Sequence, residues 1–161
     1  MFENLTKLNV GSGPTCGEGW VGIDLVSKSQ NVIARDLGRG IPFEDNRFEE
    51  LYADNVLEHI SQEDYIFVWN EMWRVLKPGG KLTIIVPRAN SEGADQDPTH
   101  VRRFQPMSFS YFCVEDDNHA EPCIFLKQCR DYGFNGAFAR VSHDFFEQGS
   151  FYHVILEKVV L

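Results

Sequence analysis

The sequence predicts an α/β domain whose sheet is mostly parallel and ends in an antiparallel hairpin. Short apolar runs recur through the first half of the chain, and several are almost continuously apolar, which is typical of parallel strands covered on both faces. Residues 136–160 are different, because they alternate or run apolar on both sides of "EQGS", a hairpin turn signal. Two strands joined that closely must be antiparallel.

Five strands and three helices follow from the pattern. The strands are predicted at residues 7–10, 20–25, 32–37, 48–54 and 81–87. The longest helix follows a capping box formed by Ser61 and Asp64, and the turn sequence "KPGG" at 77–80 ends it. Shorter helices are predicted at 106–113 and 122–132.

Length and composition narrow the class of protein. The 161 residues indicate one domain over 1–161, with 43% hydrophobic and 24% charged residues, as in soluble globular proteins. The net charge of −9 would repel a phosphate backbone, so nucleic acid is not expected as a partner. The first residues lack the pattern of a signal peptide, and no run approaches the roughly 18 apolar residues of a membrane span. We therefore expect a cytoplasmic protein without a membrane partner.

A glycine-rich turn follows the first strand in "LNVGSGPTCGEGWVGIDL", residues 8–25. Gly11, Gly13 and Gly17 resemble a nucleotide-binding turn, but only six residues separate Gly13 from Trp20. That is too short for the helix whose N-terminus would hold a pyrophosphate, so a nicotinamide oxidoreductase is disfavoured. A ligand without pyrophosphate avoids this difficulty, and S-adenosylmethionine, an amino acid joined to a ribose and an adenine, is such a ligand.

Acidic residues stand at the ends of three successive strands. Asp24 ends the second strand, Asp36 ends the third beside Leu37, and Asp54 ends the fourth. A single aspartate in such a place usually caps a helix or forms a turn. Three of them after a glycine turn, at the strand ends where open α/β sheets bind ligands, favour a site that accepts hydrogen bonds from a ribose and an adenine.

These motifs together resemble the class I S-adenosylmethionine-dependent methyltransferases, of the small type 11-like kind. "LNVGSG", "GIDL", "ARDLGRGIPFEDNRFEELYADNVLEHI" and "EMWRVLKPGGKLTIIVP" are similar to that family's motifs in the same order, over roughly residues 5–112. The resemblance implies a Rossmann-like methyltransferase sheet and S-adenosylmethionine as the cofactor. It further implies a set of cofactor-binding residues: Gly11 and Gly13 at the methionine end, Asp24 at the ribose, Asp36 and Leu37 at the adenine, and Asp54 and Asn55 near the methionyl amine.

The sequence also departs from the family pattern. The helices after the first two strands are reduced to loops, so one face of the sheet is expected to be bare or covered by a partner, most simply a second copy of the chain. The helices that often roof the cofactor are missing before the first strand, which keeps open a non-catalytic S-adenosylmethionine-binding module or partner subunit. No "NPPY"-type motif or Pro-Cys pair follows the fourth strand, which disfavours methylation of DNA bases, glutamine or cytosine C5.

The acceptor is predicted to be a hydroxyl of a sugar or other small metabolite, bound beside residues 88–112. His100 in this segment is the predicted general base, with Asp95 or Asp97 orienting its ring, and His59 is its rival. The segment reads equally well as a mobile surface loop.

No metal site is predicted. Cys113, His119, Cys123 and Cys129 read as "C-x5-H-x3-C-x5-C", which matches no common zinc pattern, so idle or buried thiols in a reducing compartment are expected.

Overall fold

The computed structural model describes residues 2–114 and 123–161, which contain a seven-stranded sheet in the order β3-β2-β1-β4-β5-β7-β6. The first five strands are parallel, and β7 is antiparallel to both β5 and β6. The predicted Rossmann-like sheet with a C-terminal antiparallel hairpin is therefore confirmed. The strands are β1 Lys7–Val10, β2 Trp20–Asp24, β3 Val32–Ala34, β4 Phe48–Asp54, β5 Leu76–Pro87, β6 Phe138–Phe146 and β7 Phe151–Lys158.

The helices are short. They are α1 Tyr65–Val75, α2 Glu92–Asp95 and α3 Ile124–Asp131, with 3₁₀ helices at Leu37–Arg39, Leu57–His59 and Pro106–Phe112. Half of the predicted capping box precedes α1, because the Ser61 hydroxyl accepts from the Asp64 backbone N–H at 3.1 Å. The Asp64 carboxylate accepts from the Ser61 hydroxyl at 2.7 Å, where a capping box has the Ser61 backbone N–H as the donor. The first residue of the predicted third helix, Pro122, lies outside the described residues.

The segment "KPGG" ends α1 at Val75, as predicted, but it does not separate the helix from the next strand. Leu76 already pairs with Phe48, so β5 begins there, and the register shifts before Lys81 pairs with Glu50. Gly79, at φ 74°, supports this irregularity. Backbone pairing with β4 extends the strand through residues that sequence patterns assign to a turn.

The connections after β1 and β2 contain no α-helix. Residues 11–19 and 25–31 form turns and loops, and the connection after β3 has only the 3₁₀ helix Leu37–Arg39. This confirms the predicted loss of helices.

The hydrophobic core lies on one face of the sheet. Alternate strand residues such as Val10, Leu51 and Ile84 are fully buried there, with α1 and the 3₁₀ helix Pro106–Phe112 in the same core. Trp69 of α1, which is also fully buried, stacks on Phe112 with ring centroids 3.7 Å apart. The sheet and the helices packed on this face therefore form two layers.

We call the opposite side the open face, defined by two rows of residues in register across β1, β4, β5 and β7. The rows are Lys7, Glu50, Lys81 and Glu157, and Asn9, Tyr52, Thr83 and Ile155. All of these are half-exposed or exposed. Lys7 forms an ion pair with Glu50 at 3.0 Å. The charged row gives a mainly parallel sheet a face that water tolerates, although such sheets are usually covered on both sides.

No helix within residues 2–114 and 123–161 combines the length and apolar character needed to cross a membrane. The cytoplasmic location stays a prediction.

Candidate active site

A cleft of about 410 Å³ lies at the carboxyl ends of the first strands, where open α/β sheets bind ligands. Most of the predicted cofactor residues meet in this cleft, and Gly13, Asp54 and His100 do not line it. The lining residues are Gly11, Asp24, Leu25, Arg35, Asp36, Leu37, Gly38, Asn55, Val56, His59, Ile60, Ser61 and Asp64.

Gly11 closes one end of the cleft against the segment that follows β4. Its φ of 68° lies in the left-handed region, and a Cβ atom there would lie 2.3 Å from Cγ2 of Val56. Its N–H donates to the Ile23 carbonyl at 2.8 Å. Only glycine gives the turn both this backbone conformation and this close approach.

Asp24 holds the glycine turn in place. One carboxylate oxygen accepts from the Gly13 N–H at 2.9 Å, and the other accepts from the Val26 N–H at 3.3 Å. Asp24 is thus a turn former as well as a cleft residue, and each of its oxygens keeps a further lone pair for a ligand hydroxyl. Gly13 acts through Asp24, since it does not line the cleft itself.

The far end of the cleft is formed after β3. Asp36 is exposed and caps the 3₁₀ helix Leu37–Arg39 by accepting from the Gly38 N–H at 2.9 Å. Leu37 is only 6% exposed and supplies an apolar surface. Arg35 also lines the cleft, with its guanidinium donating to the Gly40 carbonyl at 2.6 Å and to the Arg39 carbonyl.

Asp54 does not line the cleft, but it holds the side chain of Asn55, which does. Its carboxylate accepts from the Tyr52 hydroxyl at 3.1 Å and from the Asn55 side-chain amide at 2.7 Å. Asn55 has a φ of 51° and lines the cleft, so the carboxylate orients its amide. Of these two predicted residues, Asn55 is the one that lines the cleft.

Glu58, His59 and His100 come together beside this cleft. One ligand atom from each, a carboxylate oxygen or a ring nitrogen, lies within 4.8 Å of the other two. The two imidazole centroids are 4.7 Å apart. The backbone joins the two segments, because the Val101 N–H donates to the Glu58 carbonyl at 2.9 Å. The structure thus brings together the two histidines that the sequence proposes as rivals.

Glu58 is the unusual member of this cluster. Its side chain is 1% exposed, and neither carboxylate oxygen has a hydrogen-bond partner among the described residues. Burial raises the pKa of Glu58 to about 7, against the opposing effect of its own backbone N–H and of nearby His100. Only the tertiary structure shows this buried environment.

Hydrogen bonds define which nitrogen of each histidine carries the proton. Nδ1 of His100 lies 3.1 Å from the Ala94 carbonyl, which only accepts, so Nδ1 is protonated and Nε2 has the lone pair. The Thr99 hydroxyl donates to Asp97 at 2.6 Å, so it accepts from Nδ1 of His59 at 3.0 Å. Both neutral rings therefore keep a lone pair at Nε2.

The two acids predicted to orient His100 lie in different surroundings. Asp95 forms an ion pair with Arg103 at 2.8 Å. Asp97 lies closer, with a carboxylate oxygen 3.8 Å from Nε2 of His100. Hydrogen bonds from Thr99 lower the pKa of Asp97 below its ordinary value. The Ala94 carbonyl, rather than an acid, fixes the ring through Nδ1.

The cysteines do not form a second cluster. Cys113, Cys123 and Cys129 are buried, and within the described part of the chain they make no group with metal-ligand spacing. His119, the fourth member of the zinc pattern considered from the sequence, lies outside the described residues. Burial raises the pKa of the Cys129 thiol to about 11.

Sequence reasoning missed several cleft residues: Leu25, Arg35, Val56, Ile60, Ser61 and Asp64. Ser61 and Asp64 carry a helix-start signal, which predicts a capping role and says nothing of a ligand. Val56 carries no signal of its own, because its importance comes from its contact with Gly11 across the cleft.

Comparisons with known proteins agree with this architecture. The methyltransferase-domain family model matches residues 16–84. An uncharacterised protein of Methanocaldococcus jannaschii is 41% identical over 51 residues, which is 32% of this chain and 21% of that protein. The chain thus matches about a fifth of the length of that curated relative.

Two solved structures have the same fold. The 1,6-didemethyltoxoflavin-N1-methyltransferase of Burkholderia thailandensis, solved with its substrate and S-adenosylhomocysteine, gives a TM-score of 0.66 at 13% identity over 96% of this chain and 71% of that one. The putative methyltransferase of Haloferax volcanii, solved with the Trm112 activator, gives 0.64 at 12% identity over 96% and 83%. At these identities the likeness establishes the fold. The residues matched by the family model include Asp24, Asp36, Asp54 and most of β5, and the fold of the chain is that of the class I S-adenosylmethionine-dependent methyltransferases.

Proposed function

We propose that this chain binds S-adenosylmethionine in the cleft and transfers its methyl group to a small acceptor, most simply a hydroxyl of a sugar or other small metabolite. The observation that carries the proposal is the convergence of a glycine turn, two strand-end carboxylates and a histidine pair on one cleft of about 410 Å³. That volume lies within the range of about 300–1,000 Å³ that small-molecule sites occupy.

Each cleft residue has a role in cofactor binding under this proposal. Asp24 accepts from the ribose hydroxyls with the lone pairs that its backbone contacts leave available. Asp36 accepts from the adenine amino group, and Leu37 packs against the adenine ring. Gly11 lets the methionine end approach the backbone, and Asn55, oriented by Asp54, meets the methionyl amine.

Methyl transfer is a direct displacement at the sulfonium carbon, so the protein must align the acceptor oxygen with the methyl group and take up its proton. His59 lines the cleft, and His100 packs against it with its side chain 7% exposed. We infer that this pair receives the proton, because each ring keeps one unprotonated nitrogen. His100 remains the proposed base and His59 its rival.

A non-catalytic S-adenosylmethionine-binding module or partner subunit is the second candidate. The Haloferax volcanii putative methyltransferase, solved in complex with an activator, supports only the idea that a protein of this fold can bind a partner protein. Both candidates require cofactor binding, and only the first requires transfer.

Calorimetry with S-adenosylmethionine, S-adenosylhomocysteine and NAD tests the cofactor. We expect the first two to bind and NAD to give no signal. Transfer of a labelled methyl group to a panel of sugars and small alcohols, with an RNA as comparison, then tests the acceptor. Cofactor binding without transfer to any member of the panel would favour the second candidate. Binding of NAD alone would contradict both.

We further infer a homodimer formed through the open face. The charges alternate along its row Lys7, Glu50, Lys81 and Glu157. In a two-fold dimer this row lies against the same row of the second copy, in the reverse order. Lysine then meets glutamate at every position, as a self-complementary interface requires. Half-exposed Tyr52 and Ile155 supply apolar area beside this row.

Sedimentation at micromolar concentration tests the dimer. Glu50→Lys places like charges opposite each other across the axis and should give a monomer, as should Lys81→Glu. The double variant restores the opposite charges and should dimerise again. A wild-type monomer, or a dimer that none of the three variants alters, would exclude this interface.

A further inference from the structure

The carboxylate of Glu58 is buried without the compensating partner that a buried charge normally has. A carboxylate away from water requires a hydrogen-bond donor, a cation or a proton, because burial of an uncompensated charge is costly. Apart from the backbone N–H of Glu58 itself, neither oxygen has a donor within residues 2–114 and 123–161. No lysine or arginine forms an ion pair with it among these residues, while two histidine rings lie beside it.

The two histidines are held as metal ligands are usually held. A ligating imidazole typically donates its other N–H to a carbonyl or to a carboxylate network, which fixes the ring and leaves one lone pair for the ion. His100 donates from Nδ1 to the Ala94 carbonyl, and His59 donates to Thr99, whose hydroxyl is bound by Asp97. Each ring is therefore already held by a hydrogen bond at Nδ1 without an ion.

We propose that Glu58, His59 and His100 bind a divalent transition-metal ion, with zinc as the reference ion, at the wall of the cleft. Two imidazole nitrogens and one carboxylate are a donor set that suits Zn²⁺, Fe²⁺ and Co²⁺, whereas Mg²⁺ and Ca²⁺ prefer oxygen ligands alone. The positive ion compensates the charge of Glu58.

The distances are compatible with this assignment. Ligand atoms about 2.0–2.2 Å from one zinc ion lie no more than about 4.4 Å apart. The three ligand atoms are within 4.8 Å of one another, so small side-chain rotations close the site. The carboxylate of Asp97, 3.8 Å from Nε2 of His100, stays beside it as a neighbouring negative charge.

Three protein ligands leave at least one coordination position on the ion for another group. Because His59 lines the cleft, that position is available to a hydroxyl of the acceptor. This part of the inference rests on the proposed methyl transfer: a bound ion would lower the pKa of that hydroxyl, which would release its proton to water in the cleft before its oxygen takes the methyl group, and the two histidines would then be ligands rather than bases. Metal binding itself is independent of methyl transfer.

Cobalt titration of the chelator-treated protein tests the site in the absence of cofactor and acceptor. We expect one Co²⁺ per chain with visible ligand-field bands, displacement by one equivalent of Zn²⁺, and a higher unfolding temperature with either ion. Thiolate-to-cobalt charge-transfer bands should be absent, because no cysteine belongs to the set. Their presence would assign the ion to a cysteine and overturn the proposal.

Two variants and two matched controls locate the ion. Glu58→Gln keeps the side-chain shape and His100→Ala removes a ring, and each should weaken cobalt binding at least tenfold while circular dichroism shows a folded protein. His153→Ala on β7 and Glu49→Gln on β4 change the same residue types elsewhere and should bind like wild type. The absence of stoichiometric cobalt binding in wild type, or equal binding in both site variants, would refute the metal site whether or not S-adenosylmethionine binds.

Discussion

The carboxylates on the two sides of the cleft lie in opposite surroundings. On the cofactor wall, formed by Gly11, Asp24 and Asp36, the carboxylates accept from backbone N–H groups and stay in contact with solvent. On the acceptor wall, formed by Glu58, His59 and His100, the carboxylate is buried and has no donor among the described residues. The carboxylates of the first wall are already hydrogen-bonded, and each oxygen keeps a lone pair that could accept from a ligand. On the second wall no lysine or arginine among the described residues forms an ion pair with Glu58, so a proton or a bound ion would have to compensate its charge.

Removal of His100 should give the largest effect and should separate the two walls. For His100→Ala we expect turnover to fall by about 10²–10⁴-fold, because a group that receives the acceptor proton contributes that much. The dissociation constant for S-adenosylmethionine should not change, since His100 does not line the cofactor cleft. A steady-state transfer assay and calorimetry measure the two quantities, with His153→Ala as the matched control.

Two outcomes would contradict this separation. Near-normal turnover would remove His100 from the acceptor chemistry. A joint loss of turnover and cofactor affinity would make His100 a structural residue shared by both walls.

Gly11→Ala and Gly13→Ala test the contact that joins the walls. Both residues have positive φ, so each alanine carries a strain of about 1–2 kcal/mol. A Cβ at Gly11 also collides with Val56, which should add about 1–3 kcal/mol, whereas a Cβ at Gly13 meets nothing within 4 Å. Chemical unfolding should show the larger loss of stability for Gly11→Ala. Equal losses would mean that the Val56 contact yields without cost.

Asp24→Ala tests the cofactor wall alone. Loss of a charge-assisted contact to the ribose should weaken S-adenosylmethionine binding by about 1.5–3 kcal/mol, or tenfold and more. Asp24→Asn keeps an acceptor for the turn and separates ligand contact from turn geometry. Asp131→Ala, at the end of α3, is the control for removal of an acid. An unchanged dissociation constant in folded Asp24→Ala would exclude Asp24 from the cofactor site.

The smallest effect is expected at the start of α1, which lies beneath both walls. Ser61→Ala removes the acceptor for the Asp64 N–H and should lower the free energy of unfolding by about 0.5–2 kcal/mol. Because Ser61 also lines the cleft, the loss of stability is measured on the protein without ligand. A thermal melt that matches wild type would show that Asp64 alone is sufficient to begin the helix.

The cofactor wall could be predicted from the sequence because its signals are local. Gly11 follows a buried strand directly, Asp24 ends the next strand, and Leu37 follows Asp36 in the chain. Parallel strands place their carboxyl ends at one edge, so a correct strand assignment brings these residues together without further information. The reduced helices after β1 and β2 follow from loop length in the same way.

The acceptor wall was decided by tertiary structure. Glu58 and His100 are 42 positions apart in the chain, and no periodicity or spacing relates a 3₁₀ turn after β4 to a loop after β5. Their meeting depends on how residues 88–104 fold back toward the 3₁₀ turn after β4, where the Val101 N–H donates to the Glu58 carbonyl. The sequence by itself determined the sheet, its strand-end acids and the glycine turn, because these arise from short-range patterns. Only the folded chain determined which charge lies buried beside which imidazole, because burial is a property of distant segments packed together.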